Sequence, residues 1–281
     1  MGEKRTVVVT GASSGIGNAI ATYLAKRGAR VVGTCRNPAT RTRKADEFFD
    51  LVPLDVTRDA SVQAAFSTIF ENAKCVDAVV CCAGMGIAGS VEETTVEEAR
   101  LQMETNFFGT LRTVKAVLPR FRQAGKGRIV VVSSLAGDVG IPFQAFYSSS
   151  KFALEGLVEA LRLEVAPFGI DVCLIQPGDF RTGFTDSRIE VAAYLQNGEA
   201  SPYRKGHEAA VGQMEHDERA GSDPILIARL VEKLLEKRKL GVRYGTGSLF
   251  QRFGVRLKHY VPSRFYESLL RMTYHLDRSR R

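Results

Sequence analysis

Two sets of residues could do chemistry together. Tyr147 and Lys151 stand four apart in Tyr147-Ser148-Ser149-Ser150-Lys151, so on a helix they share a face one turn apart. A phenol ordinarily titrates near 10, and a fixed cation beside it favours the phenolate. Tyr147 could then trade a proton with a carbonyl or alcohol oxygen. Ser134 ends an apolar run thirteen residues earlier, in Ile129-Val130-Val131-Val132-Ser133-Ser134. Its hydroxyl could donate to a developing alkoxide. Ser133 is its rival, and a hydroxyl that only satisfies local backbone is the plain alternative.

The second set is Thr10-Gly11-Ala12-Ser13-Ser14-Gly15-Ile16-Gly17, between an apolar run and an amphipathic segment. Glycines let backbone turn tightly against a pyrophosphate, whose charge the N–H groups and dipole of the following helix stabilise. The spacing GxxxGxG differs from the familiar GxGxxG. A second apolar run ends in Cys35-Arg36-Asn37, where an NAD-selective fold would place a carboxylate on the adenosine ribose. Arg36 could instead pair with a ribose 2′-phosphate, the other reading being an exposed loop arginine. NADP(H) is therefore the preferred cofactor and NAD(H) the second option. Asp55, after the third run, could accept a hydrogen bond from the adenine amino group or merely cap the next helix.

Such residues need a scaffold, and the order of elements supplies one. Continuous apolar runs at 6–10, 30–34, 51–54, 78–81, 129–132 and 172–175 alternate with helical patterns at 15–27, 60–73, 96–123, 143–166 and 224–237. Apolar strands separated by helices imply a parallel sheet covered on both faces by right-handed crossovers. The fold expected is α/β, a doubly wound Rossmann sheet in a single domain. Residues 1–247 form its body. The polar stretch 178–222, with one short helical piece near 189–195, reads as a substrate lid beside the carboxyl ends of the strands.

Composition excludes other classes. At 281 residues, with 44% hydrophobic and 25% charged residues, the chain can bury one large core, so disorder and fibrous repeats are poor readings. No apolar stretch approaches the roughly 20 residues of a membrane span, and no signal peptide is expected. Five cysteines, without CxxC spacing, suit a reduced intracellular setting. Vicinal Cys81-Cys82 reads as small packed side chains, with a redox switch as the alternative. Four histidines show no metal spacing, so no metal is expected.

Residues 248–281 hold eight Lys or Arg against two Asp or Glu, which is most of the net charge of +8. The rest shows no basic stripe interleaved with aromatics, so nucleic acid is not expected as a partner. Within this basic extension Phe265, Leu269, Met272 and Leu276 recur at steps of four, three and four, predicting an amphipathic helix. It could pack on its own domain or a sister subunit, or lie peripherally on an anionic membrane.

TGASSGIG at 10–17, Asn106 in Thr105-Asn106-Phe107-Phe108-Gly109, Ser134, Tyr147 with Lys151, and Pro177-Gly178 with Thr182 follow one another in an order that resembles the short-chain dehydrogenase/reductase family. The likeness runs from Val7 to about Thr185 and more weakly beyond. It implies a catalytic group of Asn106, Ser134, Tyr147 and Lys151. Tyr147 would be the acid or base, Ser134 would hold the substrate oxygen, Lys151 would bind the nicotinamide ribose and tune Tyr147, and Asn106 would support a relay water. To Gly11, Ser13, Ser14, Gly15, Ile16, Gly17, Arg36 and Asp55 as cofactor contacts, the resemblance adds Ala83, Gly84, Pro177, Gly178 and Thr182. It also implies about seven parallel strands, the last near 242–244, and a homodimer or homotetramer.

One position departs from the family, which usually reads Asn-Ala-Gly where this chain has Cys82-Ala83-Gly84. A thiol lacks an amide's paired donor and acceptor, and Cys82→Asn is expected to leave activity intact. Residues 140–147 and 151–157 are similar to the branch containing 17β-hydroxysteroid and retinol dehydrogenases. Met85, Ile87, Ile141, Phe143 and Phe184 would then give an apolar substrate pocket, or else pack ordinarily beneath the lid. The reading is a cytoplasmic oxidoreductase that interconverts a lipophilic carbonyl compound and its alcohol with NADP(H). The alternative is a sensor or scaffold that binds NADP(H) without turnover.

Overall fold

A computed structural model describes residues 5–40, 48–197 and 200–276. Seven strands, β1 (Thr6–Val9), β2 (Arg30–Cys35), β3 (Asp50–Pro53), β4 (Ala78–Cys81), β6 (Gly127–Val132), β7 (Ile170–Pro177) and β9 (Arg243–Thr246), form one sheet in the order β3-β2-β1-β4-β6-β7-β9. Every pairing in it is parallel. The order reverses between β1 and β4, which opens a crevice at their carboxyl ends. A two-residue pair, β5 (Ile87–Ala88) with β8 (Ile189–Glu190), stands apart from the main sheet.

The apolar strands are apolar because both faces are covered. Val7, Val9, Val80, Val130, Cys173 and Ile175 face one core, with α1 (Gly15–Lys26) and α8 (Ile225–Glu236) over it. Val8, Val79, Ile129, Val131, Val172 and Leu174 face the other. There they meet α2 (Asp59–Asn72), α4 (Gly109–Ala124) and α5 (Ala145–Val165). Each of these side chains contributes about 1.5–3 kcal/mol by leaving water. Shifting a strand by one residue would exchange its two faces.

Two segments depart from the sequence expectation. Residues 96–123 are not one α-helix: α3 (Val96–Met103) passes into a π-helical turn, Glu104–Phe108, before α4. Such turns concentrate at functional sites, and this one holds Asn106. The segment 178–222 is far more regular than expected. Besides β8 and α6 (Ala192–Asn197) it carries α7 (Arg204–Arg219), sixteen residues long. The buried side of α7 is His207, Ala210, Val211 and Met214, a helical i, i+3, i+4, i+7 stripe that its histidine disguises.

The chain ends in α9 (Leu249–Leu257) and α10 (Ser263–Thr273). The expected apolar stripe of α10 is rotated. Tyr266 is its buried residue, while Phe265 and Met272 are exposed. No helix among the described residues is long and apolar enough to cross a membrane.

Candidate active site

The glycine turn is pinned by its own backbone. Ala12 N donates to Thr34 O at 2.9 Å and Thr10 N to Val80 O at 3.0 Å. Thr10 Oγ1 accepts from Cys82 N and Ala83 N at 3.0 and 3.1 Å. Gly11 has φ +67° and Gly15 φ +53°, a region costly for residues with a Cβ. A Cβ on Gly11 would stand 2.9 Å from Ala83 Cα, and one on Gly17 would collide with the Gly11 carbonyl. Ser14 starts α1 in extended conformation without a side-chain cap, and Ile16 packs on the first core. The turn and the dipole-bearing start of α1 thus fit a pyrophosphate.

The remaining cofactor candidates line the same crevice. Thr182 lies 3.6 Å from where a Gly15 Cβ would be, so the segment after β7, with Pro177 and Gly178, meets the turn across the opening. Arg36 is exposed just past β2. Asp55 Oδ1 accepts from Thr57 N and Thr57 Oγ1 at 3.0 and 2.7 Å. Burial works against its charge, but these bonds and the nearby Arg36 and Arg58 hold the carboxyl below its usual range. Asp55 thus folds the turn before α2 and does not cap the helix, whose N-cap is Arg58 without a side-chain cap.

Tyr147 and Lys151 project from the first turns of α5. Lys151 is buried and donates from Nζ to Val132 O at 3.0 Å, 5.6 Å from the Tyr147 ring centroid. Ser134 lies beside the Tyr147 phenol and favours its ionisation, and its Oγ accepts from Ala136 N at 3.1 Å. Ser133 is committed elsewhere, donating to Glu155 Oε1 at 2.6 Å. Burial pushes the Tyr147 phenol up to about 12 against the pull of Ser134, and pushes the Lys151 ammonium down to about 8. The chain alone does not lower the phenol as expected, because desolvation, with Glu218 and Asp179, outweighs the influence of Ser134 and Arg188.

Asn106 is a clamp on the Cys82–Met85 segment. Its Oδ1 accepts from Met85 N at 2.9 Å, and its Nδ2 donates to Met85 O and Ser150 Oγ, both at 3.0 Å. A Cβ on Gly84 would lie 3.3 Å from Asn106 Oδ1 and 4.0 Å from Lys151 Nζ. Cys82 is inert, its thiol pushed up to about 12 by burial, as is that of Cys81. Cys75 is the exposed one among the five free cysteines.

Phe184 forms one wall beside the phenol, its ring 5.7 Å from that of Tyr147 and pressed so closely on Gly86 that a Cβ there would be 2.7 Å away. Ile141 and Phe143 sit farther out, on a small cluster with Ala210, Val211 and Met214 of α7. Phe143 adopts φ +60°, strained for an aromatic residue, and stacks edge-on to His207. Met85 and Ile87 are fixed by Gln102, which accepts from Ile87 N and donates to Met85 O, each at 2.8 Å. The sequence offered no sign of Gln102 or Glu155, since a polar residue inside a helix normally faces water.

Behind Ser133, Glu155 is buried, and its Oε2 accepts from Arg243 Nε at 2.7 Å. Arg243 also reaches Glu159. The pair joins β9 to the strand end that presents Val132 O to Lys151 and Ser134 to Tyr147.

Residues 5–192 match the model of a family described as short chain dehydrogenase. The chain is 39% identical over 272 residues to 3-ketodihydrosphingosine reductase of Bacteroides thetaiotaomicron, covering 97% of this chain and 98% of that one. It is similar in structure to an alcohol dehydrogenase of Thermococcus sibiricus complexed with 5-hydroxy-NADP, with TM-score 0.70, 28% identity, and 89% and 99% of the two chains covered. A short-chain dehydrogenase/reductase of Burkholderia phymatum in complex with NAD gives TM-score 0.79 at 25% identity, covering 92% and 94%.

Proposed function

The chain belongs to the short-chain dehydrogenase family, an oxidoreductase with a nicotinamide dinucleotide cofactor, and within that family we propose that it is an NADP(H)-preferring reductase of a lipophilic carbonyl compound. The observation that carries this reading is the half-buried Tyr147, with Ser134 beside its phenol and Lys151 Nζ 5.6 Å from its ring, at the carboxyl ends of the strands that also hold the glycine turn. When bound, the reduced cofactor supplies the hydride for the carbonyl carbon. Ser134 then donates to the substrate oxygen, and Tyr147 delivers the proton that completes the alcohol.

A phenol pushed up to about 12 stays protonated at neutral pH, the form a general acid needs for reduction. Lys151 holds the cofactor's ribose and the charge beside Tyr147, while Asn106 fixes the Met85 segment and supports the return of the proton. Gly11, Gly15 and Gly17 would let the pyrophosphate approach, and Ala83 and Gly84 would meet the adenosine ribose.

NADP(H) preference rests on Arg36 at the end of β2, where no carboxylate stands. The lipophilic substrate is supported by Phe184, Met85, Ile141 and Phe143, with the 178–222 segment as lid, and by the name of the Bacteroides relative. The setting proposed is the cytoplasm, and the assembly a homodimer or homotetramer.

The test is NADPH oxidation over a panel of aliphatic ketones of increasing chain length, with Tyr147→Phe as control. Turnover that grows with chain length and is lost in Tyr147→Phe is the expected result. Tight NADPH binding without turnover on any member would replace the enzyme by a sensor. Arg36→Asp is expected to weaken NADPH relative to NADH, and an unchanged ratio would remove the NADP(H) preference.

A further inference from the structure

The last two helices turn large apolar side chains toward solvent. Leu249, Phe250 and Phe253 of α9 are 77%, 84% and 67% exposed, and Tyr260 just beyond is 84% exposed. These positions fall on one side of the helix. Its other side is occupied: Asp179 N donates to Gln251 Oε1 at 3.2 Å, Lys258 Nζ donates to Asp138 O at 2.6 Å, and His259 Nε2 lies 2.9 Å from Asp138 Oδ1. The helix is therefore seated on the rim of the crevice with its apolar stripe outward. Phe265 and Met272 of α10 continue the outward apolar surface.

The surface is also basic. Between 248 and 276 stand Arg252, Arg256, Lys258, Arg264 and Arg271, against Glu267 as the one acid of that stretch. An exposed apolar area of this extent marks a contact surface. A twofold contact with a second copy would press this cationic face against its own image. A second copy has a better-suited face on α3 to α5, where Leu101, Phe108 and Leu163 are exposed among charges of both signs.

We infer that the α9–α10 face docks on an anionic lipid surface. Leu249, Phe250, Phe253 and Tyr260 enter the interfacial layer while the arginines meet the phosphates. Since α9 rests on Asp179 and Asp138, docking brings the rim of the substrate crevice to the lipid.

The full chain is sedimented with vesicles of phosphatidylcholine alone and of phosphatidylcholine with phosphatidylglycerol, at low and high salt. Binding to the anionic vesicles only, weakened by salt, is expected. The double variant Phe250→Ser/Phe253→Ser and the double variant Arg256→Glu/Arg264→Glu should each lower partitioning by about tenfold or more, with NADPH affinity unchanged as the sign of an intact fold. Sedimentation needs no substrate, so its outcome is separate from the identity of the carbonyl. A wild-type chain that stays in solution with anionic vesicles overturns the inference. So does binding by both double variants that equals that of the unaltered chain, or a Phe250→Ser/Phe253→Ser chain that changes oligomeric state and not lipid affinity.

Discussion

Around the glycine turn the molecule holds itself with backbone atoms, whereas around the 178–222 segment charged side chains add to the main-chain bonds of the β5–β8 pair. On the first side Thr10, Ala12, Thr34 and Val80 exchange main-chain hydrogen bonds at about 3 Å, and glycines fill places that a Cβ would invade. On the second, Arg188 is bonded to Glu218 and Glu218 also accepts from Thr185 Oγ1 at 2.6 Å. His207 Nε2 stands 2.8 Å from Glu190 Oε2, and Glu98 Oε1 accepts from Ala192 N at 2.8 Å. Backbone cradles admit few residue types, because the ligand they fit is invariant. Side-chain stitching tolerates many sequences, so this segment can vary without disturbing the sheet.

The contrast can be broken at several points. The largest effect belongs to the group both sides share: Tyr147→Phe should lower kcat by about a thousandfold in single-turnover reduction, while NADPH fluorescence titration shows binding retained. Next comes Gly17→Ala, whose Cβ has no space. It should weaken NADPH by at least about tenfold in the same titration, the order of a displaced phosphate contact.

Lys151 gives a pH signature. Burial holds its ammonium down at about 8, so reduction should lose rate as pH rises through that value. Glu155 helps keep the lysine charged, and Glu155→Gln should move that alkaline limb to lower pH in a kcat profile. For stability the sign runs the other way. The unfolded chain binds this proton up to its ordinary 10.5, so stability conferred by the site rises between about pH 8 and 10.5. Lys151→Met should flatten that rise in urea unfolding.

The smallest effect sharpens the contrast from the lid side. A Cβ on Gly212, inside α7, meets nothing within 4 Å. Gly212→Ala should therefore stabilise the protein by about 0.5–1 kcal/mol, seen as a higher Tm with NADPH affinity unchanged.

This difference also explains what the sequence disclosed. The central strands read as apolar runs because both faces are buried, so six of the seven were legible; the glycine turn needed its flanking strand and helix, and the Tyr147–Lys151 pair, weak by itself, needed the family order. Asn106 required the family pattern, since nothing in Thr105-Asn106-Phe107 announces a π-helical turn. α7 stayed hidden because two glycines and a buried histidine interrupt its apolar period. Glu155 and Gln102 were invisible for a different reason: their partners lie across the fold, at Arg243 and at Ile87. Local chemistry leaves marks in sequence, whereas polar contacts between distant segments do not.

The distribution of thiols gives the molecule a built-in handle. Cys35, Cys81 and Cys173 are buried and Cys82 is half-covered, while Cys75 stands in the open between α2 and β4, at the amino end of the strands and so on the side away from the crevice. A maleimide dye offered to the folded protein would settle there, giving a fluorescent reporter of tumbling, assembly or surface adsorption without engineering and without touching the reaction centre.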